Sequence, residues 1–211
     1  GTASSLIRGV AAAAKEESIP TGGFTGIIDS TCPTGAGLSS SAAFSVFTGG
    51  VFTLIHGGRL ADPVVLARLA QRSENRHFGK PCGLMDQLAS SFGRVIFIDF
   101  AEQDFPRIEE IPITFDEADF QLVVIDTGSS HAELTPDYTA IPNEIRKAAD
   151  VLGKKHGRGI SMDELLSQID ILRQKAGDRA VLRLMHFIGE DQRTAEQAEA
   201  LRRGELTTYL H

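Results

Sequence analysis

At 211 residues with 42% hydrophobic side chains, the chain holds enough apolar surface for one large domain or two small ones. Its 21 basic and 28 acidic residues leave a net charge of -7, which argues against non-specific binding to nucleic acid or to anionic membranes. Cys32 and Cys82 lie far apart without metal-ligand spacing, and the longest apolar run near the start, Gly9 to Ala14, falls far below the ~20 residues of a membrane span, so a cytoplasmic protein with reduced thiols is expected.

Taken in chain order, Leu6, Ile7, Val10, Ala11 and Ala14 recur at helical spacing and predict an amphipathic helix at the start. The stretch from Cys32 to Ala43, Cys-Pro-Thr-Gly-Ala-Gly-Leu-Ser-Ser-Ser-Ala-Ala, then joins a glycine-rich loop to a serine-rich helix start. Gly35 and Gly37 let the backbone turn tightly and approach a ligand, while Ser39, Ser40 and Ser41 offer N–H groups and hydroxyls at the first turn of a helix, where an anion is favoured. The loop ends in neither Gly-Lys-Ser/Thr nor a third dinucleotide-type glycine, so a bound phosphate must be met by backbone N–H groups, the helix dipole and a magnesium ion. Behind the loop, Ala43, Val46, Phe47, Gly50, Val51 and Leu54 predict one apolar face.

Asp62-Pro63 reads as an N-cap followed by proline at the first helical position, opening a helix through Val65, Leu66, Leu69 and Ala70 towards His77 and ending at Gly79-Lys80-Pro81. A short helix from about Met85 to Ser91 follows. The runs Arg94–Phe100 and Phe120–Asp126 are rich in β-branched and aromatic residues and predict strands, with Pro106 to Glu117 as a connection between them. A domain boundary is expected near residue 118, giving domains over 1–118 and 119–211. The remainder is mainly helical: Asn143 to Leu152, a helix opened by the capping box Ser161-Met162-Asp163-Glu164, and a long segment from Asp178 to about Arg203.

The segment from Pro33 to Ala42 resembles the Pro-x-x-x-Gly-Leu-Ser-Ser-Ser-Ala motif of the GHMP kinase superfamily. Within it the chain is most similar to the galactokinase family, on three further segments: Pro81-Cys82-Gly83-Leu84-Met85-Asp86-Gln87, Asp126-Thr127-Gly128-Ser129-Ser130-His131, and Gly189 to Thr194 followed by Ala200 to Gly204. The resemblance implies an α+β fold with a ribosomal-S5-like first domain and a ferredoxin-like second, both incomplete here. The amino-terminal segment that supplies sugar contacts and an arginine in that family is absent, as is the late glycine-rich motif. The chain therefore reads as an internal piece of a longer kinase, inactive on its own.

Several roles follow from the resemblance alone. Asp86 is the expected base for the C1 hydroxyl of galactose or a close relative, converted to the sugar 1-phosphate with ATP. Gly35, Ala36, Gly37, Leu38, Ser39, Ser40 and Ser41 are the expected nucleotide-phosphate loop. Glu74, with Ser40 or a neighbouring serine, is the expected Mg2+ site, since magnesium takes hard oxygen ligands and few of them from protein. Gly83 and Tyr138 are the expected sugar contacts beside Asp86. His131 has no Ser or Cys partner pattern and is given no catalytic role. Another GHMP small-molecule kinase, or a galactokinase-like sensor that binds ATP and sugar without turnover, remains as an alternative reading.

Overall fold

The computed structural model describes residues 3–32, 37–79, 82–102, 104–113, 123–125 and 135–210. Contacts divide the chain into two compact units, Gly1–Ile98 with Ile125–Gly128, and Asp99–Val124 with Ser129–His211.

In the first unit, α1 (Ala3–Glu16) and α2 (Ser40–Gly57) pack on α3 (Pro63–Arg72), and α4 (Met85–Phe92) closes the group against α2 and α3. The expected start of α3 is present: Asp62 Oδ1 accepts the Val64 N–H at 2.8 Å and proline occupies the first turn. Past Arg72 the helix widens to a π-helix over Ser73–Phe78, which Gly79 ends in the left-handed conformation at φ 70°. A π-turn inserts an extra residue per turn and re-aims the side chains that follow it. The α1 helix lies close against this turn because Gly9 has no Cβ. A Cβ there would meet the Ser73 Oγ at 2.4 Å, and that hydroxyl donates to the Leu6 carbonyl at 3.3 Å. Ala13, Ala14 and Leu69 form one buried cluster, and Val46, Leu66 and Ala70 another.

The face that α2 buries differs from the expected one. Phe47 and Leu54 are 50% and 56% exposed, whereas Ala42, Ser45, Val46, Thr48, Gly49, Phe52 and Thr53 turn inward. The helix is apolar nearly all round, so hydropathy does not choose a face. Close packing selects the side with small residues, and its two threonine hydroxyls are met locally: Thr48 donates to the Phe44 carbonyl at 2.8 Å and Thr53 to that of Gly50 at 3.1 Å, while the buried Ser45 hydroxyl has no partner among the described residues.

Two short strands, β1 (Ile96–Asp99) and β2 (Arg107–Glu110), pair into a two-stranded sheet. The first was expected; the second falls where a connection was expected. Its Arg-Ile-Glu-Glu sequence lacks the β-branched run that marks a strand, and its order comes from pairing and from the Arg202 guanidinium, which meets Glu109 at 2.7 and 2.9 Å. Of the expected strand Phe120–Asp126, only Val123–Ile125 lies within the described residues. These three form no strand and are exposed.

The second unit is a helical group: α5 (Thr135–Val151), α6 (Met162–Ser167), α7 (Ile169–Ala176), α8 (Asp178–Arg202) and α9 (Leu206–Leu210). Its core joins Ala148, Ala149, Ile160, Leu165, Leu172, Val181 and Leu184. Ser161 caps α6 as expected, its Oγ accepting the Glu164 N–H at 3.1 Å. The α5 helix starts well before Asn143 and runs through Pro142, so Tyr138 stands on a helix rather than in a loop. No described helix is long and apolar enough to cross a membrane. With helices dominating a small sheet, the architecture is α+β.

Candidate active site

Three pieces of the first unit supply the site: the start of α2, the π-turn and the start of α4. Gly37 has φ 74° and Ser39 has φ 54°, ψ 36°, a left-handed conformation that a non-glycine residue adopts only when its surroundings hold it there. Ser39 stands at the N-cap of α2, yet its side chain does not cap the helix. Instead the hydroxyl donates to Asp86 Oδ2 at 2.6 Å. Two residues on, the Ser41 hydroxyl donates to Glu74 Oε2 at 3.1 Å. Neighbouring serines of the loop therefore address two different carboxylates, one on α4 and one on the π-turn. Neither is reached by Ser40 among the hydrogen bonds described, so Ser41 stands beside Glu74 where Ser40 was the first expectation.

The two acids sit in contrasting surroundings. Asp86 lies in the first turn of α4 and is exposed. Glu74 is 1% exposed, and its second oxygen, Oε1, accepts from Gln87 Nε2 at 3.2 Å. The same Gln87 amide nitrogen lies 3.4 Å from Cys82 Sγ, while Gln87 Oε1 is buried without a partner. Cys82 is held further by its backbone: its N–H donates to Asn75 Oδ1 at 2.7 Å, and its carbonyl accepts from Asn75 Nδ2 at 3.2 Å and Gln71 Nε2 at 3.4 Å. Gly83 follows directly and is exposed.

Gly35 and Ala36 lie outside the described residues, as does His131. Leu38 is 43% exposed beside the loop, and Tyr138 belongs to the second unit, 56% exposed on α5. Gln87 and Asn75 were missed by sequence reasoning. Gln87 stands in the Pro81–Gln87 segment, but no spacing rule shows that its amide reaches back to Glu74, and the π-turn that places Glu74 and Asn75 leaves no periodic signature.

A magnesium ion fits the donors present. A serine hydroxyl and a glutamate carboxylate are hard oxygen ligands set together at the start of α2, the kind of sparse protein contribution magnesium accepts. Among the described residues there is no cluster of three or more His, Cys, Asp or Glu side chains, so the protein would share the ion with phosphate oxygens and water.

Residues 5–94 match the GHMP kinases N terminal domain. The solved galactokinase of Lactococcus lactis, complexed with galactose, superposes on 97% of this chain and 52% of its own with a TM-score of 0.68 at 21% identity, a likeness of fold. Residues 5–94, less than half of the chain, are thus similar to the GHMP kinases. The curated proteins that the chain is similar to include galactokinases. The chain is 30% identical to the galactokinase of Bos taurus over 90% of this chain and 47% of that protein, and 28% identical to the galactokinase of Pyrococcus furiosus over 95% and 53%. The chain thus spans about half the length of the curated relatives it matches.

Proposed function

We propose that this chain carries the phosphate loop, the metal carboxylate and the base of a galactokinase-type enzyme, which transfers the γ-phosphoryl group of ATP to the C1 hydroxyl of galactose. The observation that carries this reading is the pairing of loop serines with two acids, Ser39 with Asp86 and Ser41 with Glu74. It sets a potential base and a metal-type carboxylate at one helix start.

Asp86 accepts the proton of the C1 hydroxyl as that oxygen bonds to the γ-phosphorus and the bond to the β-phosphate oxygen breaks, releasing ADP. Its exposure leaves the carboxylate open to a sugar, and the Ser39 hydroxyl fixes its rotamer. The loop N–H groups and the α2 dipole hold the phosphates. Bound magnesium would neutralise phosphate charge, with Ser41 and Glu74 as its holders and Ser40 as the neighbouring hydroxyl. Gly83 and Tyr138 are the proposed sugar contacts: the glycine lets a pyranose approach the backbone, and a phenol suits its mixed apolar and polar faces. The reading places the enzyme in the cytoplasm.

Incubation of the full protein that carries this chain with ATP, Mg2+ and galactose, followed by phosphorus NMR, tests the reading. Galactose 1-phosphate and ADP in equal amounts are expected; ATP consumption indifferent to galactose overturns it.

A further inference from the structure

The resemblance to galactokinases accounts for Asp86, Glu74 and the serines, but not for the amides around Cys82. Cys82 sits in a clamp of three amide side chains. Asn75 takes both its N–H and its carbonyl, at 2.7 and 3.2 Å, as a neighbouring strand would, and Gln71 adds a second donor to the carbonyl at 3.4 Å. Gln87 reaches its sulfur at 3.4 Å and ties it to the buried Glu74. Asn75 directly follows Glu74 on the π-turn, so adjacent side chains are sent to different ends of the site: Glu74 to the phosphate-loop serine, Asn75 to the segment leading into Gly83 and Asp86. An ordinary α-helical continuation of α3 would not present this pair in the same way.

We propose that Asn75 is a positioning residue for sugar recognition, holding the Cys82–Gly83 backbone in register with Glu74 through the π-turn, with Gln87 as the second tether. The proposal rests on the sugar-kinase reading above and deepens it. The clamp acts on Cys82 and Gly83, which lie in neither helix nor strand, so two directed hydrogen bonds to one residue's backbone replace a sheet ladder. Its effect therefore falls on the sugar side. The nucleotide side retains Ser41, Glu74 and the loop glycine.

The variants Asn75→Leu, which removes both bonds, and Asn75→Asp, which keeps the acceptor for the Cys82 N–H, separate positioning from general stability. Asn75 is exposed, so both variants are expected to fold, and melting by circular dichroism checks it. In steady-state assays of the full protein, Asn75→Leu is expected to raise the galactose KM by about tenfold or more, with the ATP KM within about threefold. Asn75→Asp is expected to recover much of that loss. Calorimetric titration of Mn2+·ATP, which involves no sugar, is expected to be the same in all three proteins. An unchanged galactose KM in Asn75→Leu, equal rises in both KM values, or an Asn75→Asp variant no better than Asn75→Leu overturns the clamp while leaving the kinase reading intact. If the Leu variant does not fold, Asn75→Ala, which also removes both bonds, takes its place, and a galactose KM equal to wild type in that variant overturns the clamp. A wild-type protein that phosphorylates no aldose overturns the kinase reading and the proposal with it.

Discussion

The Ser39 hydroxyl donates to Asp86 Oδ2 at 2.6 Å across 47 positions of sequence, from a residue whose backbone is held at φ 54°. This one contact joins the serine-rich start of α2 to the proposed base and uses a hydroxyl that would otherwise cap α2. Replacing Asp86 by Asn is expected to lower turnover by about 100-fold or more while leaving ATP affinity nearly unchanged, the scale for loss of a positioned base. Ser39→Gly, which accepts the left-handed backbone without strain, is expected to cost about tenfold, the worth of a hydrogen bond to a charged group. Steady-state kinetics with calorimetric ATP titration checks both; an Asp86→Asn variant with more than half of wild-type turnover removes Asp86 from the chemistry.

Gly37 also has a positive φ, 74°, and among the described residues a Cβ there would meet nothing within 4 Å. Gly37→Val should therefore act through backbone strain, about 1–2 kcal/mol, rather than through crowding. ATP affinity is expected to fall by about 5- to 30-fold in calorimetry. Unaltered affinity would separate the loop from nucleotide binding.

Glu74→Gln preserves size and removes the charge of a nearly buried carboxylate. The Mg2+ concentration for half-maximal turnover is expected to rise about tenfold or more, with the melting midpoint little changed. A metal titration of the initial rate reads this directly, and an identical titration curve would assign the ion elsewhere.

Gly9→Ala places a Cβ 2.4 Å from Ser73 Oγ and 3.1 Å from the His77 Cβ, at the contact of α1 with the π-turn. Destabilisation of about 1–3 kcal/mol is expected, measured by denaturant unfolding of the chain. No change in the midpoint would mean that α1 does not approach the π-turn this closely.

Acid is expected to weaken the second unit. Hydrogen bonding to Arg202 holds Glu109 below the usual carboxylate range, Arg179 does the same for Glu144, Arg173 for Asp178, and Arg202 with Arg203 for Glu199. A carboxylate depressed in the folded state adds stability that is complete above its unfolded pKa and is lost as pH falls through the folded value. Melting midpoints should therefore hold near neutrality and decline below about pH 4, less steeply in high salt because these pairs are exposed. A midpoint that rises on acidification would contradict the sign.

What the sequence determined by itself was local. Asp62-Pro63 and Ser161 to Glu164 marked helix starts because an N-cap is satisfied within three residues. Asp86 and Glu74 were named through a family resemblance, since nothing within a few residues of either distinguishes it from a solvated acid. Tertiary structure decided the rest. It chose the small-residue face of the uniformly apolar α2, made a strand of Arg107–Glu110 by pairing, and carried α5 back through Pro142 to Tyr138. It also decided which serine meets which acid and which amides grip Cys82. Contacts between Ser39 and Asp86, or Ser41 and Glu74, span 47 and 33 positions and depend on how two helix starts and a π-turn are packed together, a geometry that no local pattern of residues encodes.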